Sequence, residues 1–224
     1  MNREKSAQLD LLELSESNSI GTIEKWAYSR GLFRLIGIDE AGRGPLAGPV
    51  VASAVALPGQ MEIQGLNDSK QLSEKQRQHL FSQILDVALA FGIGIVKPQI
   101  IDDINILQAT LLAMRKALRR AILHFQPDCV LIDGRDIISG ENHLFQKAVI
   151  RGDCLSANIA AASILAKVTR DRIMTRMHEK YPAYNFMKNK GYGTKDHREK
   201  LMEIGPCPLH RKSFLKKIIK NSAR

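Results

Sequence analysis

Cysteine is scarce in this 224-residue chain, and the three present, Cys129, Cys154 and Cys207, are odd in number, far apart and in no C-x-x-C spacing. That pattern supports neither a disulfide framework nor a zinc site, and it fits reduced thiols in a cytosolic protein. No apolar run approaches bilayer-spanning length, and the opening stretch MNREKSAQLDLLELSESNSIG is too acidic and too broken by polar residues for a secretory signal. A soluble, cytoplasmic protein with no membrane contact is the expectation. Internal repeats and low-complexity tracts are absent too, so one α/β unit is expected rather than an array. Acidic residues are in deficit, 23 against 33 Lys and Arg, for a net charge of +10. Residues 188–224 hold eleven Lys or Arg and three acids, and so carry +8 of it. Such a basic end suits a polyanion, because each neutralised phosphate releases counterions; the plainer alternative is a solvated end that keeps the protein soluble.

What is present organises the rest of the chain. Residues 9–33 place Leu12, Ile20, Ile23, Trp26 and Leu32 at helical spacing, interrupted by Gly21 and Gly31, as a helical lead-in. RLIGID (34–39) and PVVASAVALP (49–58) are β-rich runs joined by a short Gly/Pro loop, which predicts an antiparallel pair. SEKQ (73–76) is a capping box, opening a helix with Leu80, Ile84 and Val87 inward and ending before Gly92. IGIVK (93–97) reads as a strand. Over 102–125, Ile104, Leu107, Leu111, Met114, Leu118, Ile122 and Phe125 recur at steps of three and four, predicting an amphipathic helix capped by Asp102 or Asp103. CVLID (129–133) has the pattern of a strand buried on both faces, and KAVI (147–150) is another strand. A long helix is expected from Ser156 to Pro182, and a short one from Thr194 to Gly205. A hairpin followed by alternating helices and strands makes an α/β mixed sheet flanked by helices.

Acids end the predicted strands: Asp39 and Glu40 the first, Asp133 (LIDG) a central one, and Asp153 (VIRGD) the next. Ligands of open α/β sheets sit beyond the carboxyl ends of strands, so these four carboxylates can meet, and they would repel unless cations bound among them. With no His or Cys in these motifs, the donor set selects Mg²⁺ or Mn²⁺. Two such ions, roughly 4 Å apart, can activate a water and stabilise the leaving oxygen of a phosphodiester, which points to hydrolysis of a nucleic-acid backbone. Asp39 and Glu40 pose a difficulty, since strand neighbours point to opposite faces. Either the strand breaks there, or one residue contributes through its carbonyl. Taken singly, Asp133 before glycine is more often a turn residue than a ligand. GRGPLAG is one residue off the dinucleotide fingerprint and is followed by Pro49 and a β-rich run, where that fold needs a helix.

The blocks GIDEAGRGPLAGPVVASAV, NDSKQLSEKQR, LIDG, RGD, NIAAASILAKVTRDR, NKGYGTKDH and GPCPLHRKSF, in this order over about residues 34–214, resemble bacterial ribonuclease HII. The resemblance implies an RNase H-like fold with a helical, basic C-terminal portion, divided here as a lead-in (1–33), a catalytic domain (34–187) and a C-terminal portion (188–224). It implies an endonuclease dependent on Mg²⁺ or Mn²⁺, and a monomer is expected. Such an enzyme cleaves the RNA strand of RNA–DNA hybrids and single ribonucleotides embedded in duplex DNA, leaving 5′-phosphate and 3′-hydroxyl ends. The family's four acids fall on Asp39, Glu40, Asp133 and Asp153, the last in a block usually written K-G-D, where Arg151 replaces Lys. Its G-R-G loop falls on Gly42, Arg43 and Gly44, and its substrate-sensing tyrosine on Tyr192; a G-K-G loop would mark the related HIII group.

Telling RNA from DNA at one nucleotide means reading a single 2′-hydroxyl, and a backbone bare of side chains can approach the minor groove closely. Gly42 and Gly44 permit that approach, Arg43 can clamp the adjacent phosphate, and Tyr192, between two glycines, can stack on a sugar or base. Asn67, Ser69 and Lys70 of NDSK, Ser163 and Lys167 on the long helix, and Arg211 with Lys212 are candidates either for phosphate contact or for helix packing. Two other readings stay open at this stage: a nuclease of the same fold that needs no 2′-hydroxyl, and a catalytically silent RNA–DNA binding module.

Overall fold

The computed structural model describes residues 19–59, 63–66, 69, 71–123 and 125–215. Five strands lie in the order β3-β2-β1-β4-β5, where β1 is Leu35–Ala41, β2 Val50–Ala56, β3 Ala90–Val96, β4 Cys129–Asp133 and β5 Gln146–Val149. The pairings β1–β2 and β2–β3 are antiparallel, while β1–β4 and β4–β5 are parallel, so the sheet is mixed as expected. The helices are α1 Thr22–Tyr28, α2 Glu74–Val87, α3 Pro98–Ala121, α4 Gly152–Leu155, α5 Ala157–Lys180, α6 Phe186–Asn189 and α7 Lys195–Ile204.

Side-chain alternation along the strands assigns each helix to a face. Ile36, Ile38, Val130 and Ile132 pack with Ala109, Ala113, Ala117 and Leu118 of α3. On the opposite face, Leu35, Cys129 and Leu131 meet Ile23 of α1 and Ile159 of α5, and Val55 meets Leu80 and Ile84 of α2 with Ile164 and Leu165 of α5. Predicted helix starts at Ser73, Ser156 and Thr194 are real caps, each side chain accepting from the backbone N–H three residues on.

Two expectations need correction. First, α3 opens at Pro98, whose missing N–H suits a first helical turn, and neither Asp102 nor Asp103 caps it. Asp102 instead accepts from the backbone N–H groups of Lys212 and Ser213, both at 2.9 Å. Second, α3 is interrupted at Asn105 (φ 67, ψ 167), whose Oδ1 accepts from Gln108 N and restarts the helix. Ile104 and Leu107, expected inward, lie exposed beside this break, whereas Met114 and Leu118 of the same line are buried as expected, alongside Ala109, Ala113, Ala117 and Ala121. Within the lead-in, α1 lies between Gly21 and Gly31, the two interruptions expected there; Leu12 lies outside the described residues.

Candidate active site

Strand β1 does not break at the acid pair, contrary to one of the two resolutions offered above: it continues through Asp39 and Glu40 to Ala41. Asp39 shares the face of Leu35, toward α5, and Glu40 shares the face of Ile36 and Ile38, toward α3. Because β1 and β4 run parallel with Ile38 opposite Ile132, Asp39 and Asp133 stand side by side on the α5 face. Asp153 is not at a strand end as expected. Strand β5 stops at Val149, Arg151 adopts a left-handed conformation (φ 58, ψ 37), and the turn delivers Asp153 on the one-turn helix α4. Gly152 N donates to Asp133 Oδ1 at 2.7 Å, tying that turn to the strand.

Asp39, Asp133 and Asp153 each offer a carboxylate oxygen, and these atoms all lie within 4.8 Å of one another. Asp39 and Asp153 are buried. Burial, reinforced by the charges of Glu40 and Asp133, pushes the Asp39 carboxyl well above its ordinary value, although the Ser163 hydroxyl and the Glu40 N–H (2.7 Å) donate to it. Glu40 is not in the three-oxygen group: its carboxylate meets Arg43 Nη1 at 3.3 Å. Crowded, desolvated carboxylates without imidazole or thiolate fit a hard divalent cation, whose charge would offset their repulsion.

Next to the acids, residues 42–49 form a loop held from beneath by two buried arginines. Arg170, on α5, donates to the carbonyls of Pro49 (3.0 Å), Lys190 (2.9 Å) and Ala47 (3.1 Å). Arg211 donates to Gly42 O (2.6 Å), Arg43 O (2.9 Å) and twice to Gly48 O (3.0 and 2.9 Å). Of the two roles offered for Arg211, phosphate contact is therefore overturned, because its side chain is fully enclosed. Arg43 itself is half exposed. Tyr192 is 44% exposed, with its ring centroid 5.8 Å from Arg170 Cζ and 6.0 Å from Lys167 Nζ. The Gly191 carbonyl accepts from Leu46 N at 2.9 Å, so the tyrosine loop and the glycine loop lie against each other beside the acids.

A family profile described as "Ribonuclease HII" matches residues 36–217, most of the chain. The chain belongs to the ribonuclease HII family. Curated ribonuclease HII proteins from Ruminiclostridium cellulolyticum (49% identical, covering 92% of this chain and 80% of theirs) and Citrifermentans bemidjiense (52%, 93% and 85%) are among its relatives. Ribonuclease H2 from Pyrococcus horikoshii OT3 superposes with a TM-score of 0.65 at 26% identity, over 85% of this chain and 99% of that one. A ribonuclease HIII called Bst-RNase HIII, solved with Mn²⁺, shares the fold (TM-score 0.67, 18% identity, 88% of this chain and 72% of that one). As a ribonuclease HII, this chain is a divalent-metal-dependent endonuclease that cleaves RNA in RNA–DNA hybrids, and cleavage at ribonucleotides within duplex DNA fits the family. Among the described residues, no helix is long and apolar enough to cross a membrane.

The remaining site candidates of this ribonuclease HII have three outcomes. Ser69 is buried and lies 2.9 Å from Ser163; since the Ser163 hydroxyl donates to Asp39, that of Ser69 donates to Ser163, a two-step support for the carboxylate. Lys167, beside Tyr192, is held by Asp171 at 2.8 Å. Asn67 and Lys70 lie outside the described residues.

Sequence reasoning missed a pair of buried imidazoles behind Tyr192. His197 Nε2 and His210 Nε2 are 3.0 Å apart, and His197 Nδ1 lies 2.8 Å from the Tyr192 carbonyl. Cys207 N–H donates to His210 Nδ1 at 3.0 Å. Burial lowers both, His210 to about 4 with help from its neighbour His197. Thirteen residues separate the two, and no spacing rule announces such a pair.

Proposed function

We propose that Mg²⁺ or Mn²⁺ is held by Asp39, Asp133 and Asp153, with Glu40 at the rim, and that cleavage leaves 5′-phosphate and 3′-hydroxyl ends. The observation that carries this reading is the trio of carboxylate oxygens within 4.8 Å. Bound there, a divalent cation supplies an activated water and stabilises the leaving oxygen. The chain's own residues do the positioning. Ser163 orients the Asp39 carboxylate, and the Gly42–Gly44 backbone approaches the minor groove at the ribonucleotide. Arg43 engages the adjacent phosphate, and Tyr192 stacks at the junction with Lys167 behind it.

The test compares three duplexes in Mg²⁺ and in Mn²⁺: all DNA, DNA with one ribonucleotide, and an RNA–DNA hybrid. We expect cuts in the second and third with the stated ends and none in the first. Cleavage of the all-DNA duplex at a similar rate removes the 2′-hydroxyl reading and leaves a nuclease indifferent to the sugar.

The basic end is tested separately. Truncation after Gly205 would also delete Arg211 and collapse the glycine loop. Removing residues 216–224 takes four Lys or Arg and spares Arg211. If they contact phosphates, the logarithmic salt slope of binding flattens by up to about 3 to 4. An unchanged slope returns this segment to a role in solubility.

A further inference from the structure

We propose that the segment from Cys207 to Ser213 is a clasp that fixes the two substrate-reading loops relative to each other, with His210 and Arg211 as its positioning residues. The inference rests on the reading of Gly42–Gly44 and Tyr192 given above. Adjacent residues of the clasp reach the two loops. His210 acts through His197 on the Tyr192 carbonyl, while the four side-chain hydrogen bonds of Arg211 all end on carbonyls of Gly42, Arg43 and Gly48. The clasp is itself anchored: Arg211 N donates to Leu46 O, and Gly48 N to Leu209 O, both at 2.9 Å. Asp102 accepts from Lys212 N and Ser213 N, and Gln99 Nε2 donates to Pro208 O.

Hydrogen-bond direction makes the histidine arm specific. His210 Nδ1 lies 3.0 Å from the Cys207 N–H, always a donor, and 3.3 Å from the Cys207 carbonyl; the shorter contact makes Nδ1 the acceptor, so a neutral His210 carries its proton on Nε2. That proton points at His197 Nε2, which must accept, leaving His197 with its proton on Nδ1 to donate to the Tyr192 carbonyl. The result is a one-way wire of two neutral imidazoles that fixes the peptide plane from which the Tyr192 side chain departs. Tyr184 and Phe186 pack on the His210 ring at 4.8 and 5.9 Å and hold it in line. In the other arm, a buried guanidinium gathers the carbonyls of the glycine loop on one side, with fork geometry that lysine lacks.

The test is a double-mutant cycle in the full-length enzyme on DNA carrying one ribonucleotide. His210→Phe keeps a ring against Tyr184 and Phe186 but removes both nitrogens. We expect kcat/KM to fall on the order of ten- to hundredfold, as misplacement of a positioning group does. In a Tyr192→Ala background the same change should cost less than about twofold, because its route is already gone. Arg211→Lys acts through the other loop, so its loss should multiply with that of Tyr192→Ala. Should His210→Phe not fold, ¹⁵N spectra of the wild-type imidazoles at pH 7 decide: protons on His210 Nε2 and His197 Nδ1 support the wire, and mixed tautomers overturn it. A His210→Phe loss that is equal in both backgrounds reduces the clasp to general stability and overturns the proposal. A silent Tyr192→Ala instead removes the reading of the tyrosine, and the histidine arm falls with it.

Discussion

Asp39→Asn is expected to lower cleavage of a single-ribonucleotide duplex by at least about a thousandfold, since a bound metal supplies several kcal/mol of transition-state stabilisation and each 1.36 kcal/mol is a factor of ten. The same substitution should raise the thermal midpoint of the metal-free protein at neutral pH. Asp39 is buried beside Asp133 and Glu40, and their combined effect holds its carboxyl well above the ordinary 3.8. The folded state thus keeps a proton that the unfolded chain has released, and the associated stability is complete below about 4 and lost as pH rises through the raised value. Asn keeps an oxygen for the Ser163 hydroxyl and the Glu40 N–H but carries no charge to repel, so the variant should lack this decline. Divalent cation should raise the wild-type midpoint by mass action and the variant's much less. Asp133→Asn should lose activity similarly while retaining its acceptor for Gly152 N–H. Melting curves from pH 4 to 8 with and without Mg²⁺, alongside cleavage rates, check both halves. A variant that cleaves within tenfold of wild type removes Asp39 from the metal centre.

How much of this was legible depended on whether the signal was local. The hairpin, the caps at Ser73, Ser156 and Thr194, and β4 with its terminal Asp133 are written in short stretches, and they came out as read. Pro98 is equally local, and a proline in the first helical turn is a stronger start signal than the acid pair at 102–103. On α3 the expected line holds at Met114 and Leu118, which are buried beside Ala109, Ala113, Ala117 and Ala121, and fails at Ile104 and Leu107, where the interruption at Asn105 breaks the helical register. The acid pair was half solved: alternation was foreseen as an obstacle, and the structure keeps it, with Asp39 in the oxygen cluster and Glu40 across the strand. Asp153 arrives through a left-handed Arg151, a conformation that arginine does not advertise. Least legible were Arg170, Arg211 and the histidine pair. Arginine is ordinarily exposed, and Arg211 sits at the head of a basic tail, so its burial depends on carbonyls more than 160 residues earlier in the chain.

The two glycines of the G-R-G loop separate folding from recognition. At Gly42 the backbone has φ +96, and an added Cβ would lie 2.1 Å from Arg170 Nε and 2.8 Å from Pro49 O. Arg170 cannot yield, because that guanidinium is fixed to three carbonyls. Gly42→Ala should therefore lose about 3 kcal/mol or more, combining a left-handed non-glycine residue with a clash at a locked site. Activity should fall with it, for substrate of any kind. Gly44 is different: its φ is not positive, and an added Cβ there has nothing within 4 Å. The fold gives no reason for glycine at that position, so Gly44→Ala should change stability by less than about 0.5 kcal/mol. If the bare backbone serves close approach to the ribose, the extra methyl meets substrate alone, and kcat/KM on the single-ribonucleotide duplex should drop on the order of tenfold or more. Denaturant unfolding and cleavage measured on both variants give a crossed result, with Gly42→Ala unstable and Gly44→Ala stable but impaired. A Gly44→Ala enzyme with wild-type kcat/KM would show that the loop is bare at this position for no reason connected with the ribose, and recognition would then rest on Arg43, Tyr192 and the backbone at Gly42.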